Sequence, residues 1–367
     1  MMVVPGSNPI MKTYRIAVIP GDGIGKEVLP PTLDLLAACG ARFGIGFEWA
    51  HFEWSADYYF RHGRMMPVDG LDQLRPYDAI LLGAVGHQEL PDNVTLNGLL
   101  LPIRRGFDQY ANVRPAVLFE GVQSPLANRR AGEIDMIVVR ENTEGEYAQI
   151  GGFLYQGQPE EVAVQSSVFT RRGCERVIRH AFELARKRNG RKRVASITKS
   201  NAQGYSMVLW DRAFAAVAAE FPDIATEALL VDAAAMNFVR RPHTFDVVVA
   251  SNLFGDILSD LSAMVCGSIG LAASANLDPT RRHPSMFEPV HGTAPDIYGK
   301  NIANPLAAFF SAAMMLDHIG HPEAGAAIEQ AIRAVLAGGA VRTADLGGSS
   351  TTTAVAEAVI SQVSSNA

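Results

Sequence analysis

The stretch YRIAVIPGDGIGKEVLPPTLDLLAA (residues 14–38) decides the fold class that the sequence predicts. It begins with an apolar run that predicts a buried strand. The glycines of PGDGIG (20–25) predict a tight turn, and the apolar spacing after them predicts a helix. A strand that passes through a turn into a helix is typical of the repeating unit of an α/β protein.

The same alternation continues along the chain. Four more apolar strands are predicted in YDAILLGAVG (77–86), IDMIVVREN (134–142), RVASITKSN (193–201) and FDVVVASNLFG (245–255). Amphipathic helices are predicted between them, in CERVIRHAFELARKRNG (174–190) and GYSMVLWDRAFAAVAAEF (204–221). Apolar strands that alternate with helices predict an α/β fold with a largely parallel sheet.

The composition narrows the class of protein. A chain of 367 residues is long enough for about two domains. No linker is visible, so a second domain would be interleaved with the first. A net charge of -6 argues against nucleic acid as a partner, and no apolar run is long enough to span a membrane. The basic run RKRNGRKR (186–193) is interpreted as a solvated helix end.

The cysteines and the first residues indicate where the protein works. Cys39, Cys174 and Cys266 are odd in number and widely spaced, which predicts free buried thiols in a reducing compartment. We therefore expect a cytoplasmic protein. The start of the chain lacks a signal-peptide pattern, and residues 1–12 are predicted to be a disordered extension.

The glycine turn of PGDGIG also raises the question of a dinucleotide-binding loop. The Rossmann pattern G-x-G-x-x-G would need glycine at position 26, where Lys26 stands. A structural turn between strand and helix is therefore favoured over a Rossmann phosphate loop.

Polar residues follow the predicted strands. The pairs are Arg140 and Glu141, Lys199 and Asn201, and Asn252 and Asp256. Ligands of open α/β sheets bind beyond the carboxyl ends of the strands, so these residues are candidates for a site.

The segment SNLFGDILSDLSAM (251–264) is a candidate metal site. Asp256 and Asp260 stand four residues apart, so a helix would project both carboxylates from one face. A divalent cation would remove the repulsion between them, and oxygen ligands favour Mg²⁺ or Mn²⁺ over zinc. An exposed acidic edge is the alternative, and the segment alone does not decide between them.

Three single residues could take part in proton transfer. Lys199 follows a strand and could act as a base, Tyr147 in RENTEGEY (140–147) could donate a proton, and Asp232 interrupts an apolar run and needs a partner. Lys199 and Tyr147 have the plainer interpretations of a surface lysine and a packing tyrosine, and the partner of Asp232 could be a metal, a lysine or the backbone.

The segment MFEPVHGTAPDIYGKNIANP (286–305) is interpreted as a loop broken by Gly and Pro, followed by a helix. Its backbone N–H groups could bind an anion. Its histidine could stack on a base, and its aspartate could accept hydrogen bonds from a ribose diol.

Taken together, these segments resemble the isocitrate/isopropylmalate dehydrogenase family, the metal-dependent dehydrogenases that decarboxylate 2-hydroxy acids. The resemblance begins near Tyr14 and runs almost to the C-terminus. Its motifs occur in family order: IPGDGIG, NVRP, RENTEGEY, TKSN, NLFGDILSDL, GSIGL, FEPVHGTAPDI and NIANP. The family fold consists of two interleaved α/β domains around a large, mixed, mainly parallel sheet that is not a Rossmann fold. The resemblance implies a cofactor domain at 13–109 and 267–367. Residues 110–266 would then form the substrate, metal and dimerisation domain.

The resemblance also implies roles for individual residues. Substrate carboxylates would be bound by Arg104, Arg114 and Arg140. Mg²⁺ or Mn²⁺ would be bound by Asp256 and Asp260 together with Asp232 from the other subunit of a homodimer. Tyr147 and Lys199 would be the catalytic pair, assisted by Asp232, and the lysine would also cross from the partner. NAD would be bound by Glu288, His291, Gly292, Thr293, Ala294, Asp296, Ile297 and Asn304. Asp296 favours NAD over NADP, and a requirement for K⁺ is left open.

The stretch TLNGLLLPIRRGFDQYANVRP (95–115) bears on the substrate. Isopropylmalate enzymes carry a glutamate where Asn97 stands, and isocitrate enzymes carry a serine and an asparagine where Gly98 and Leu100 stand. The chain therefore looks most like the branch that oxidises D-malate and tartrate. Leu100 and its neighbours would close the space of a larger C3 substituent, and Asn97 could bond a 3-hydroxyl.

The alternatives are a 3-isopropylmalate dehydrogenase with an unusual pocket, a non-catalytic regulatory homologue, and a sensor that binds NAD without turnover. The presence of every expected catalytic and metal residue argues against the regulatory homologue, and the sensor predicts cofactor binding without turnover.

Overall fold

The computed structural model describes residues 12–365. It contains twelve strands in this part of the chain: β1 (Lys12–Gly21), β2 (Ile45–His51), β3 (Ala79–Ala84), β4 (Ala111–Val117), β5 (Asp135–Glu141), β6 (Gly145–Leu154), β7 (Val162–Val168), β8 (Arg193–Thr198), β9 (Ala225–Leu230), β10 (Val247–Ala250), β11 (Ala273–Leu277) and β12 (Ser285–Pro289). The extension predicted at residues 1–12 lies outside the described residues except for Lys12, which begins β1.

Twelve α-helices cover the strands: α1 (Gly25–Phe43), α2 (Ala56–His62), α3 (Gly70–Leu74), α4 (Asp92–Thr95), α5 (Leu101–Gly106), α6 (Arg171–Arg188), α7 (Ser206–Ala218), α8 (Val231–Arg240), α9 (Asn252–Val265), α10 (Leu306–Ile319), α11 (Pro322–Gly338) and α12 (Thr352–Ser365). A π-helical turn (Leu96–Leu100) joins α4 to α5, and short 3₁₀ turns occupy Pro242–Thr244, Ile269–Leu271 and Ala344–Leu346. No helix within residues 12–365 is long and apolar enough to cross a membrane.

Ten of the strands form one sheet in the order β2-β1-β3-β12-β11-β4-β5-β10-β8-β9. Six of its nine pairings are parallel, and the three antiparallel ones join β12, β11, β4 and β5 at the centre. The predicted mixed, mainly parallel sheet is thus confirmed. Strands β6 and β7 pair separately as a two-stranded antiparallel ribbon.

The hydrophobic residues collect into two large clusters. One cluster draws all its buried members from Ala116–Cys266 and packs around β5, β10 and β8. The other combines the first part of the chain with residues from Leu271 onward, together with Val113 and Phe119, around β1, β3 and β12. The three cysteines are buried and unpaired, as expected for free thiols. The cytoplasmic location stays a prediction.

The basic run RKRNGRKR (186–193) contains a helix end, as predicted. Helix α6 ends at Arg188, and Asn189 takes a left-handed conformation with φ 51° that stops it. The following arginines and lysine lie at the surface.

The glycine turn between β1 and α1 is structural. Gly21 and Gly23 have φ of +68° and +49°, and a Cβ atom on them would lie 2.0 Å from the Ala84 carbonyl oxygen and 2.1 Å from that of Thr293. Their missing side chains let Asp22 N–H donate to Ala84 O (2.7 Å) and Ile24 N–H donate to Thr293 O (2.9 Å). The turn therefore joins β3 and the loop after β12, in agreement with the failed Rossmann spacing.

Candidate active site

A cavity of about 170 Å³ lies where α5, β4 and β5 meet the end of β12 and the first turns of α9. Arg104, Arg114 and Arg140 all line it, and all three side chains are buried. The structure thus brings together three arginines that lie as far as 36 positions apart in the sequence. A buried guanidinium needs anionic partners, because desolvation of an unpaired charge is costly.

Arg104 is positioned by residues of β12 and β11. Its Nη2 donates to Glu288 Oε1 at 2.7 Å, and Asn276 Nδ2 donates to the same oxygen at 2.8 Å. The Nε groups of Arg104 and Arg114 are buried and have no partner among the described residues. These two N–H groups are therefore available to an anionic ligand.

Arg140 is held from α9. Its Nε and Nη2 donate to Asn252 Oδ1 at 3.0 and 2.8 Å, and its Nη1 contacts Asp256 Oδ1. Gly255 makes this close approach possible, because a Cβ there would lie 2.6 Å from Arg140 Cβ. Burial lowers the pKa of Arg140 to about 10, so the group stays charged at neutral pH.

Helix α9 begins at this site with the help of a carboxylate. Glu146 of β6 accepts hydrogen bonds from Leu253 N–H (3.1 Å) and the Ser251 hydroxyl (2.7 Å). An anion at a helix N-terminus is stabilised by the unpaired N–H groups there. This contact joins α9 to the strand that carries Tyr147. Apart from its place in RENTEGEY, nothing in the sequence indicated this role for Glu146.

Asp256 and Asp260 project from one face of α9, as their spacing predicts. Asp256 accepts a hydrogen bond from the Tyr147 hydroxyl at 2.9 Å and pairs with Arg114 Nη1 at 3.5 Å, while Asp260 lies 3.3 Å from the same nitrogen. Burial acts to raise the pKa of Asp256, but Arg140 and Arg114 hold it below its usual value. Burial raises the pKa of Asp260. In this chain, guanidinium groups neutralise the two carboxylates.

These two carboxylates are oxygen donors of the type that Mg²⁺ and Mn²⁺ prefer, but they are only two. No group of three or more His, Cys, Asp or Glu side chains suited to a metal occurs within residues 12–365. The third predicted ligand, Asp232, does not line the cavity. Its Oδ1 accepts from Lys199 Nζ at 3.0 Å, and its side chain is 60% exposed. The single chain therefore offers an incomplete set of donors.

Tyr147 lies inside the cavity and Lys199 lies outside it. The Tyr147 ring stacks near the guanidinium of Arg140, with its centroid 5.2 Å from Cζ. Burial raises the pKa of Tyr147, as does the charge of Asp256, so the phenol is protonated and can donate. The neighbouring Arg105 donates to the Tyr147 carbonyl and to Gln149 Oε1 (2.7 Å).

The π-helical turn orients the wall that faces the arginines. Leu96, Leu100 and Arg104 line the cavity, but Asn97 does not, and Leu99 is buried in a separate hydrophobic cluster. A π turn contains more residues than an α turn. Leu96, Leu100 and Arg104, which stand four positions apart, therefore stay on the side of the helix that faces the cavity. The sequence indicated Leu100 but gave no reason to expect Leu96.

The predicted adenosine loop follows β12. His291 and Gly292 line the inner end of the cavity, and the buried His291 Nε2 has no partner among the described residues. Asp296 is exposed, and Ile297 packs beside Ala294 on a small cluster below the loop. These positions leave a nitrogen and a carboxylate free for a ligand.

Thr293 and Asn304 are engaged within the protein. The carbonyl oxygen of Thr293 accepts a hydrogen bond from Ile24 N–H in the β1–α1 turn. Asn304 Nδ2 donates to Asp345 Oδ2 at 3.0 Å, and its Oδ1 accepts from Leu306 N–H. Asp345, which also accepts from the Ser268 hydroxyl at 2.5 Å, was not indicated by the sequence.

Comparisons with known proteins bear on the family and the fold. The family model described as isocitrate/isopropylmalate dehydrogenase matches residues 15–359. The D-malate dehydrogenase (decarboxylating) of Escherichia coli is 52% identical over 95% of this chain and 98% of its own length. The tartrate dehydrogenase/decarboxylase of Pseudomonas putida is 50% identical over 95% of this chain and 97% of its own.

Among solved structures, the isocitrate dehydrogenase of Methylococcus capsulatus superimposes with a TM-score of 0.86 at 36% identity, covering 96% of this chain and 99% of that one. The resemblance found in the sequence motifs and the predicted fold are both confirmed. The chain belongs to the isocitrate/isopropylmalate dehydrogenase family.

Proposed function

We propose that this protein is an NAD-dependent and divalent-metal-dependent dehydrogenase of small 2-hydroxy dicarboxylic acids, tartrate and/or D-malate, which decarboxylates some of them. The observation that carries the proposal is the small cavity in which three buried arginines face two leucines. The names of the D-malate and tartrate relatives, which are about half identical over nearly the whole chain, support the same substrates.

The cavity has room for a short substrate. Arg104, Arg114 and Arg140 would bind the two carboxylates of a four-carbon acid through charge-assisted hydrogen bonds. Leu96 and Leu100 would lie against C3 and leave space for hydrogen or hydroxyl. A 3-hydroxyl would then find its partners among the arginines and Tyr147, since Asn97 does not line this cavity. A bulky C3 substituent would have to displace the leucines.

Proton transfers are assigned to this chain's own side chains. Tyr147 would protonate C3 after decarboxylation, since its hydroxyl is protonated and faces the cavity. Lys199, held by Asp232, would take the proton of the C2 hydroxyl. When bound to Asp256, Asp260 and Asp232, a divalent cation would polarise the C2 oxygen.

The position of Lys199 and Asp232 supports a homodimer with shared active sites. In one chain neither residue lines the cavity, so both would reach it from a second copy. Exposed large apolar side chains are concentrated in the middle segment of the chain, between residues 150 and 264. They are Ile150, Phe153, Leu154, Tyr155, Val162, Val164, Tyr205, Met236, Val239, Ile257 and Met264. Apolar exposure of this extent is typical of an interface.

The hydrophobic clusters support the predicted domain division. The cluster confined to Ala116–Cys266 falls within the proposed substrate and dimerisation domain at 110–266. The second cluster joins residues of the proposed cofactor domain, 13–109 and 267–367, with few members from the middle segment.

We assign NAD to the loop after β12. His291, Gly292, Thr293, Ala294, Asp296, Ile297 and Asn304 would surround the adenosine, with Glu288 near the nicotinamide. An exposed Asp296 suits a ribose diol and repels a 2′-phosphate.

The test follows NADH production with D-malate, L-(+)-tartrate, meso-tartrate, 3-isopropylmalate and isocitrate, with Mn²⁺ and after exhaustive chelation. We expect D-malate or a tartrate to be the best substrate and chelation to abolish activity. Faster turnover of 3-isopropylmalate would refute the assigned substrate, and activity after chelation would refute the assigned metal. NAD binding without turnover of any acid would favour a sensor.

A further inference from the structure

A groove of about 640 Å³ lies between α6 on one side and α10 and α11 on the other. Its floor is formed by β4, β5 and β11, with Val113, Ile137 and Leu277 among the lining residues. A groove of this size and apolar lining is typical of a site for an organic ligand. None of its elements carries the exposed apolar residues assigned above to the dimer.

The groove is separate from the active site although both use β4. Successive side chains of a strand point to opposite faces of a sheet. Arg114 lines the active-site cavity, while its neighbours Val113 and Pro115 line the groove. The sheet therefore stands between the two cavities.

A cationic recess of about 270 Å³ adjoins one end of the groove, and Arg281 and His318 line both cavities. Four permanent cations line the recess: Lys12, Arg75, Arg281 and Arg282. Its one carboxylate, Asp78, accepts a hydrogen bond from the backbone N–H of Arg15 at 2.7 Å. In a chain with a net charge of -6, such a group of cations indicates an anion site.

The opposite end of the groove is lined mainly by apolar side chains, together with Glu329 and with Arg333, whose Cζ lies 4.7 Å from the Phe119 ring centroid. A pocket of about 60 Å³ continues it and shares Pro115, Met314 and Glu329 with it. Phe119 and Phe310 line this pocket, and their rings stack with centroids 5.1 Å apart. The three cavities thus form a series that is cationic at one end and mainly apolar at the other.

Between the two ends, the charged side chains that line the groove are Glu183, Lys187, Asp317 and Glu329, and Glu183 is exposed. Lys187 and Asp317 pair with each other at 3.0 Å across the groove, from α6 to α10. Glu329 lies toward the apolar end, where Arg333 lines the adjoining pocket. The buried Nε2 of His180 has no partner among residues 12–365 and can bond a polar ligand atom.

We propose that these three cavities form one binding site for an amphipathic aliphatic anion, with its head group at Arg281 and its chain along the groove toward Phe119. Carboxylate and phosphate head groups share the chemistry that arginine binds. Each CH₂ group that the apolar chain buries would add to the affinity.

The test is calorimetric titration of the full chain with dodecanoate and dodecyl phosphate below their micelle concentrations. Dodecan-1-ol and acetate are the reference ligands, each lacking one half of the proposed chemistry. The titrations are run with saturating NADH and tartrate, a pair that cannot undergo the proposed oxidation, so that binding to the active-site arginines is blocked without turnover. We expect saturable binding of about one anion per chain, about tenfold or more tighter than either reference.

Two variants locate the site. Arg281→Gln removes the shared cation, and Ala326→Trp fills the groove from α11, where Ala326 is exposed and lines it. Each should weaken binding about tenfold or more, whereas the control Arg130→Gln should change it less than about twofold. Equal binding of dodecan-1-ol, non-saturable binding, or unchanged affinity in both variants would overturn the proposal. Because binding is the readout, failure here leaves the proposed dehydrogenase activity untouched.

Discussion

Hybrid dimers can reveal whether the active site is shared between subunits. Tyr147 lines the cavity of its own chain, whereas Lys199 is paired with Asp232 outside it. The variants Tyr147→Phe and Lys199→Met preserve side-chain volume and remove one functional group each. Removal of a general acid or base costs about 10²–10⁴-fold in turnover, so each parent dimer should be nearly inactive.

A hybrid of one Tyr147→Phe chain and one Lys199→Met chain behaves differently if the site is shared. One of its two sites then combines an intact Tyr147 with an intact Lys199 from the other chain, and the second site lacks both. The hybrid should therefore reach about half the wild-type rate per dimer, and an unfractionated equal mixture about a quarter.

The experiment needs two affinity tags, co-expression of both variants and purification on both tags in turn. NADH production by the doubly tagged dimer is compared with that of each parent and of the doubly tagged wild type. If Lys199 serves its own chain, both hybrid sites lack one group, and the hybrid is no more active than the parents. That result would refute the shared site and, with it, the assignment of Asp232 as a ligand from the second copy.

Three further predictions test other parts of the structure. Asp296→Lys should lower the ratio of NAD to NADP use by about tenfold or more, because an exposed cation would attract the 2′-phosphate; an unchanged ratio of kcat/KM values would contradict the ribose assignment. Gly23→Ala should lower the free energy of unfolding in urea by about 2 kcal/mol or more, because its Cβ would meet Thr293 O. Gly44→Ala, with φ +68° and open space around it, should cost only about 1 kcal/mol, and equal losses would argue against the close contact. Burial and Arg281 lower the pKa of His318 to about 4 in the folded protein. Between about pH 6.5 and about pH 4, the imidazole therefore binds a proton only in the unfolded state. The free energy of unfolding should fall as the pH is lowered through this range. His318→Gln should reduce that slope in urea titrations at several pH values, and an unchanged slope would rule out this imidazole as a source of it.

Much of the site could be predicted because the residue types in the motifs indicate its chemistry. The convergence of Arg104, Arg114 and Arg140 followed from the family resemblance, and the shared face of Asp256 and Asp260 followed from helical spacing alone. The failed glycine spacing at Lys26 also indicated a structural turn before the contact with Thr293 was visible.

The remaining features depend on geometry that spacing does not encode. A single π turn changes which side chains of the 95–104 segment face the cavity, so Leu96 lines it and Asn97 does not. Glu146 and Asp345 act on residues far along the chain, and nothing near them in sequence marks that role. The sequence of α9 likewise did not indicate that Asp256 and Asp260 pair with Arg114 and Arg140, because those arginines lie on other elements.

The order of strands in the large sheet has a consequence for synthesis on the ribosome. Strand β3 pairs with β12, whose residues lie about 200 positions later. The β1–α1 turn likewise needs the carbonyl oxygen of Thr293 as a hydrogen-bond acceptor. The middle segment, by contrast, already holds a complete cluster of its own between Ala116 and Cys266. At translation rates of about 5–20 residues per second, β3 spends many seconds without its final neighbour β12, although β1 already has both of its strand partners, β2 and β3. The middle of the chain can therefore complete its hydrophobic core before the N-terminal part, whose core also needs residues from Leu271 onward.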